Sequence, residues 1–359
     1  MRRSHLTSRS LSAVCMTAVA VGFVAGCGGG RVSATIEPPV TTARMNAAPA
    51  PPATTTRRST TVLSPPVTTR RADPPTTGAG MAIGVVANVA GYGDARQRLV
   101  LKTGIKLIRE DRGNYAVAWA HTHGINCIGI IFENADSPGT ACDEIELDNE
   151  PYWQHVDPEA WARQSLAVAR QLRARGIRKP ILLPLLALAD GSSDFDADGN
   201  YTYGGVTRSW VEWINRAAPA IWSYVDGFAV HPYATGVLPS GKVLDTVRAE
   251  LDAIPAARHK PFWVTEIGWP TGPFANAAAT SEVNQAEYLN LFIAAMRARG
   301  DVAAVVVYNL VDNAPAPYRE PIDAYGLVQA DGVAKPALAV VEASARASAL
   351  ALHASTARP

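Results

Sequence analysis

The chain has 359 residues, with 33 Lys and Arg against 32 Asp and Glu and 48% hydrophobic residues, so its formal net charge is only +1. With no basic run or basic-aromatic stripe in its apolar part, nucleic acid is excluded as an expected partner. Beyond a Pro-rich N-terminal region about 265 residues remain, the usual length of one (β/α)8 barrel and large for most other single domains.

Arg2 and Arg3 open the chain, and Leu11 to Val24 form a short apolar stretch interrupted by Ser12 and Thr17. A membrane-spanning helix needs ~20 apolar residues, so this stretch reads as an export signal covering 1–26. It ends in Val24-Ala25-Gly26-Cys27, which resembles the lipobox of bacterial lipoproteins. The resemblance implies cleavage before Cys27, lipidation of that cysteine, and a location on the outer face of a bacterial membrane. An ordinary secretory signal with an incidental cysteine is the alternative. Residues 27–79 are crowded with Pro, Thr, Ser and Ala and show no apolar periodicity. Such a composition cannot bury enough apolar surface to fold, and a semi-rigid tether is expected.

From Met81 onward short apolar runs alternate with helix-like segments. Strands are predicted at Ala82–Ala87, Ile105–Arg109, Cys127–Phe132, Glu144–Asp148, Ile181–Leu185, Gly227–Val230, Phe262–Glu266 and Ala303–Tyr308. Most are continuous runs of Val, Ile, Leu and Ala, as buried parallel strands are. Asp157-Pro158 marks the start of a helix that Gly176 ends, and Thr280 or Ser281 caps one that Gly300 ends. Further helices are predicted at Asp94–Lys102, Asn114–His123, Arg208–Ala220, Lys242–Ile254 and Pro336–Arg346. The expected fold is α/β, a (β/α)8 barrel over 80–346 with a flexible tail at 347–359. Between Phe132 and Glu144 there is too little chain for a crossover, which takes at least ~10–12 residues, so the third helix is predicted to be degenerate. With Cys15 lost with the signal and Cys27 lipidated, Cys127 and Cys142 remain; in an exported protein they read as a disulfide, the alternative being two buried thiols.

Active sites of such barrels lie where strands end. The fourth strand ends in Asn149-Glu150-Pro151 and the seventh in Thr265-Glu266-Ile267-Gly268-Trp269. Two carboxylates at the mouths of two strands are what cleavage of a glycosidic bond requires, one to protonate the leaving oxygen and one to meet the positive charge at the anomeric carbon. The segments Ile145 to Pro151 and Val264 to Trp269 resemble the two active-site motifs of clan A glycoside hydrolases. The resemblance implies that Glu150 is the acid/base, Glu266 the nucleophile, and the outcome retention. It further implies that Arg109 lies near the nucleophile, that His231 and Tyr233 flank the glutamates, and that Asn149 meets the sugar 2-hydroxyl. Arg109 and a Tyr233 hydroxyl directed at Glu266 would favour its charged form, leaving the proton on Glu150.

Two positions depart from the clan pattern: Asp148 stands where many relatives carry an aromatic, and Tyr308 where a tryptophan platform is common. Tyr308 is assigned that stacking role. Tyr152 and Trp153 are placed along the cleft, whereas Trp210, Trp213 and Trp222 belong to the core and Trp269 packs beneath the site. Asp194, Asp196 and Asp198, followed by Gly199, match the start of a calcium loop, although Gly205 stands where the closing glutamate belongs; a structural calcium and a plain polar loop are both open. No cofactor is required. The expected protein is thus a monomeric, lipid-anchored or secreted retaining β-glycosidase acting on an oligo- or polysaccharide. A non-catalytic glycan-binding lipoprotein and a transglycosylase are the alternatives.

Overall fold

The computed structural model describes residues 80–110, 115–154, 156–185, 200–233, 242–274 and 280–356. Eight parallel strands close into a barrel: β1 (Ala82–Val86), β2 (Leu107–Glu110), β3 (Asn126–Ile131), β4 (Glu144–Leu147), β5 (Ile181–Leu185), β6 (Gly227–Val230), β7 (Phe262–Ile267) and β8 (Val302–Val307). Each pairs with its sequence neighbours, and β1 closes the ring on β8. Seven α-helices surround it among the described residues: α1 (Val89–Thr103), α2 (Tyr115–Thr122), α3 (Pro158–Ala174), α4 (Trp210–Ala217), α5 (Lys242–Asp252), α6 (Glu282–Arg299) and α7 (Pro336–Thr356).

The strands are buried on both faces. Alternate residues such as Leu107, Ile128, Leu182, Ala229 and Trp263 fill the barrel interior, and their neighbours, such as Ile108 and Ile145, pack outward against the helices. That two-sided burial is why the runs read as continuously apolar rather than alternating.

The expected degenerate third helix is a single 3-10 turn, Pro138–Ala141. It lies flat on β3 because two glycines face each other: a Cβ on Gly129 would collide with the Gly139 backbone, and one on Gly139 with Ile130 O. The turn brings Cys127 and Cys142 together as a disulfide with Cα atoms 5.1 Å apart.

Helix ends follow local chemistry. The Asp157 carboxylate accepts from the backbone N–H groups of Glu159 and Ala160 at 2.9 and 3.1 Å, and Ser281 Oγ accepts from Asn284 N at 3.1 Å. Both satisfy N–H groups that the first helical turn leaves unpaired.

Three segments differ from expectation. The helix predicted over 208–220 breaks at Ala218 (φ −146°), since Pro219 lacks an N–H and forces its predecessor out of the helical region; a 3-10 turn, Pro219–Ser223, follows. An antiparallel hairpin, Tyr201–Tyr203 with Val206–Arg208, precedes α4 and turns on Gly204 and Gly205, both at positive φ. Its signal was a polar-aromatic alternation around Gly-Gly. Finally, α7 runs to Thr356 instead of yielding a flexible tail after 346. Its Ala-rich continuation favours helix, and Arg297 ties it down by donating to Ser344 O and Ser348 Oγ at 2.7 and 3.1 Å.

Among the described residues no helix is long and apolar enough to cross a membrane. Cys27 and the Asp194, Asp196 and Asp198 loop lie outside the described residues.

Candidate active site

Six residues expected at the site meet at the C-terminal mouth of the barrel. Arg109 ends the inward face of β2 and is almost wholly buried. Its Nη1 donates to Glu266 Oε1, and its Nη2 donates to Asn149 Oδ1 at 2.6 Å. Tyr233 Oη donates to Glu266 Oε2 at 2.8 Å, so both oxygens of that carboxylate hold a donor. On the other side His231 Nδ1 lies 2.8 Å from Glu150 Oε1. One carboxylate oxygen of Glu150, one of Glu266 and a ring nitrogen of His231 all lie within 4.8 Å of one another.

Two local distortions deliver the glutamates. The chain leaves β4 with Asp148 at φ 76° and Glu150 at φ 46°, left-handed conformations that non-glycine residues seldom adopt. Asp148 sustains this turn by accepting from Asn149 N at 2.7 Å and Trp161 Nε1 at 2.8 Å. It therefore points toward α3, which carries Trp161. Strain of this kind gathers at functional sites, where surrounding contacts hold it. On β7 the distortion is one of register: Val264 lies opposite Val305, but Ile267 lies opposite Val307. The extra residue is a bulge, and it lets both Thr265 and Glu266 reach the same cluster, where strict alternation would separate them.

Sequence reasoning missed three residues. Glu146, on the inward face of β4, is fully buried and accepts from Arg109 Nε at 2.6 Å, Arg109 Nη2 at 3.1 Å and Thr265 Oγ1 at 3.1 Å. Thr265 Oγ1 also lies 3.0 Å from His231 Nε2. Tyr325, in the loop after β8, packs edge-on against Tyr233 and Tyr308 at ring distances of 5.9 and 5.6 Å. A buried ion pair fixes that loop: Lys335 Nζ donates to Asp312 Oδ1 and Thr271 Oγ1, each at 2.8 Å, and Asp312 Oδ1 accepts from Gly326 N at 2.7 Å. Nothing in a one-dimensional pattern marks Tyr325, whereas the alternation of β4 did place Glu146 on the same face as the pocket.

Charge is unevenly managed here. Burial disfavours an ionised Glu146, but Arg109 beside it and His231 hold its carboxyl down at about 2. Burial likewise disfavours a charged His231, yet Glu266, Glu146 and Glu150 outweigh it and push the imidazole up to about 10. The phenols of Tyr152 and Tyr233 are raised by burial and by the carboxylates around them.

The other assigned aromatics divide. Tyr308 is half-buried beside the pocket, and its peptide bond to Asn309 is cis. Tyr152 does not line open space: it is buried and packs edge-on against Trp210 at 5.9 Å, because the 3-10 turn Pro151–Gln154 folds it inward. The Trp153 side chain lies outside the described residues. Trp269 packs on Phe292 of α6, and Gly268 before it touches Tyr308 O so closely that a Cβ would collide.

Two triads among the described residues have the spacing of a metal site, and neither offers a free donor set. In one, both nitrogens of His231 face protein partners and the ring is held protonated, whereas a metal needs a neutral imidazole. In the other, with His121 and Asp143, the Cys127 sulfur is in the disulfide.

No protein-family model and no curated protein sequence matches the chain. Among solved structures it is similar to a glucosidase from Croceicoccus marinus, with TM-score 0.54 and 12% identity, covering 77% of this chain and 69% of that one. It is also similar to a family 39 glycoside hydrolase from the gut symbiont Bacteroides cellulosilyticus WH2, with TM-score 0.52 and 16% identity, covering 75% of this chain and 64% of that one. The chain thus spans less than two thirds of the family 39 structure, and at these identities the likeness establishes the (β/α)8 barrel.

Proposed function

We propose that the chain is a retaining glycoside hydrolase acting on β-linked oligo- or polysaccharides. The observation that carries the proposal is that one carboxylate oxygen of Glu150 and one of Glu266 lie within 4.8 Å of each other, the two groups being held by different partners. Retention is what the motif resemblance implies, and a separation of about 5–5.5 Å between the carboxyl groups goes with it. The partners of the two carboxyl groups assign the roles: Glu266, with a donor on each oxygen from Arg109 and Tyr233, is the nucleophile, and Glu150, beside His231, is the acid/base.

The Glu266 carboxylate attacks the anomeric carbon while Glu150 passes its proton to the departing oxygen. The resulting glycosyl ester removes the negative charge from Glu266. Glu150, now ionised, takes a proton from water, which attacks the same carbon and releases Glu266 as a carboxylate. Tyr308 and Tyr325 offer aromatic faces for the sugar. The enzyme is proposed to act as a monomer held outside the cell through Cys27; Cys27→Ser would then abolish incorporation of labelled fatty acid into the chain.

The test is turnover of a panel of aryl β-glycosides and polysaccharides by the full chain, with the anomer of the first product read by NMR. Retention in the wild type, its loss in Glu266→Ala, and labelling of Glu266 by a mechanism-based inhibitor are expected. Binding of glycans with no turnover would favour the lectin-like alternative, and predominant transfer to sugar acceptors the transglycosylase.

A further inference from the structure

Glu146 takes no step in that reaction, yet it touches the partners of both reacting carboxylates. Its two bonds to Arg109 Nε and Nη2 clamp one edge of a guanidinium whose five donors lie in a rigid plane. The clamp leaves Nη1 directed at Glu266 and the second Nη2 hydrogen directed at Asn149 Oδ1. On its other side Glu146 Oε1 accepts the Thr265 hydroxyl at 3.1 Å. A hydroxyl has a single hydrogen, so with it committed to Glu146 the Thr265 oxygen can only accept from His231 Nε2, 3.0 Å away. Nε2 therefore carries a hydrogen, and Nδ1 is the nitrogen that meets Glu150. The groups facing the imidazole are Glu150 at 2.8 Å, Glu146 at 3.7 Å and Glu266 at 3.9 Å, with the Tyr233 ring centre 6.4 Å away. These three carboxyl groups favour a second hydrogen on the ring, at Nδ1.

We infer that Glu146 is a positioning residue that sets the polarity of a hydrogen-bonded chain, so that Arg109 presents N–H to Glu266 while His231 presents N–H to Glu150. The two glutamates are thereby oriented by one buried carboxylate that faces neither of them directly. Were Glu146 only a counter-ion for Arg109, the state of His231 would not depend on it. The inference rests on the glycosidase reading for the roles of Glu150 and Glu266, but the polarity of the chain exists without turnover.

The experiment follows His231 by NMR in the full chain labelled with 15N at histidine. In the wild type both ring nitrogens stay protonated at about pH 8, well past the ordinary histidine range. Glu146→Gln keeps the shape, drops the charge and can turn an amide N–H toward Thr265; His231 then loses its charge about one pH unit lower or more. Glu146→Asp restores most of the wild-type behaviour, and Glu144→Gln, on the same strand face, leaves His231 unmoved. Thr265→Val cuts the link to His231 while keeping the Arg109 clamp, and it gives a smaller shift in the same direction even if the Glu146 variant fails to fold. With an aryl glycoside, Glu146→Gln lowers kcat by about tenfold or more, changes KM less than about threefold, and moves the pH profile. Identical His231 behaviour in the wild type, Glu146→Gln and Thr265→Val overturns the inference. A wild type without turnover whose His231 still responds to Glu146→Gln would instead sink the glycosidase reading and leave this one standing.

Discussion

Glu144 and Glu146 share the inward face of β4, and both are buried, but the two ends of the barrel treat their charges in opposite ways. At the N-terminal end, burial and the neighbouring Asp143 push Glu144 up to about 8, with Lys179 a weaker opposing influence, and its Oε2 has no hydrogen-bond partner. At the C-terminal end burial acts on Glu146 in the same direction, and Arg109 and His231 reverse it. Residue type, strand and burial are matched, so the difference lies in the neighbours, the Asp143 charge at one end and donors contributed by other strands at the other. A buried acid alone is therefore no mark of a site. Donors converging from β2 and β7 on one carboxylate, with a histidine that follows β6 beside it, are such a mark, and barrels gather them at the C-terminal mouth while the opposite end serves stability.

The largest expected effect breaks the comparison at its functional end. Glu266→Gln should lower kcat on an aryl β-glycoside by about 10⁴-fold or more, equivalent to about 5.5 kcal/mol, with the protein still folded by circular dichroism. A variant retaining a tenth of the activity would remove Glu266 from the chemistry. Next, Glu146→Gln should cost about 3–5 kcal/mol in urea unfolding at neutral pH, because it removes one of the carboxylates that offset two buried cations, Arg109 and His231. Its proton linkage gives the sign: a carboxyl held at about 2 when folded and about 4.3 when unfolded contributes stability above that upper value, lost as pH falls toward about 2.

At the other end, replacing Cys127 and Cys142 together by Ala should cost about 3 kcal/mol for a loop with a sequence separation of 15, leaving activity unchanged. The smallest effect is the sharpest. Glu144 binds a proton more tightly when folded, so stability should fall as pH rises from about 4 to about 8, at no more than about 1.4 kcal/mol per unit. Glu144→Gln should flatten that slope and be more stable than the wild type at pH 8. Identical substitutions two positions apart would then change stability in opposite directions, and same-sign results would show that neighbouring donors do not govern these charges.

Much of this was legible in one dimension. The strands Ile181–Leu185 and Gly227–Val230 match their expected bounds, because a strand buried on both faces leaves an uninterrupted apolar run. The short gap before Glu144 announced the missing third helix. Reading strand ends picked out Glu150 and Glu266, and the motif resemblance added Arg109, Asn149, His231 and Tyr233; all six meet at one mouth. The hairpin at Tyr201–Arg208 was overlooked although its Gly-Gly turn was in view. Thr265 was not recoverable, since a period of two places it on the face opposite Glu266.

What the amino-acid order determined by itself was the ring of strands, the cap at Asp157, and the two glutamates at strand ends, because each depends on local propensity and periodic burial. Tertiary structure alone decided how those side chains address one another. The bulge that brings Thr265 and Glu266 to the same cluster exists only in register with β8, and the edge of Arg109 that meets Glu266 is selected by Glu146 from another strand. Hydrogen-bond direction and charge state belong to the assembled set of neighbours, which no single segment contains.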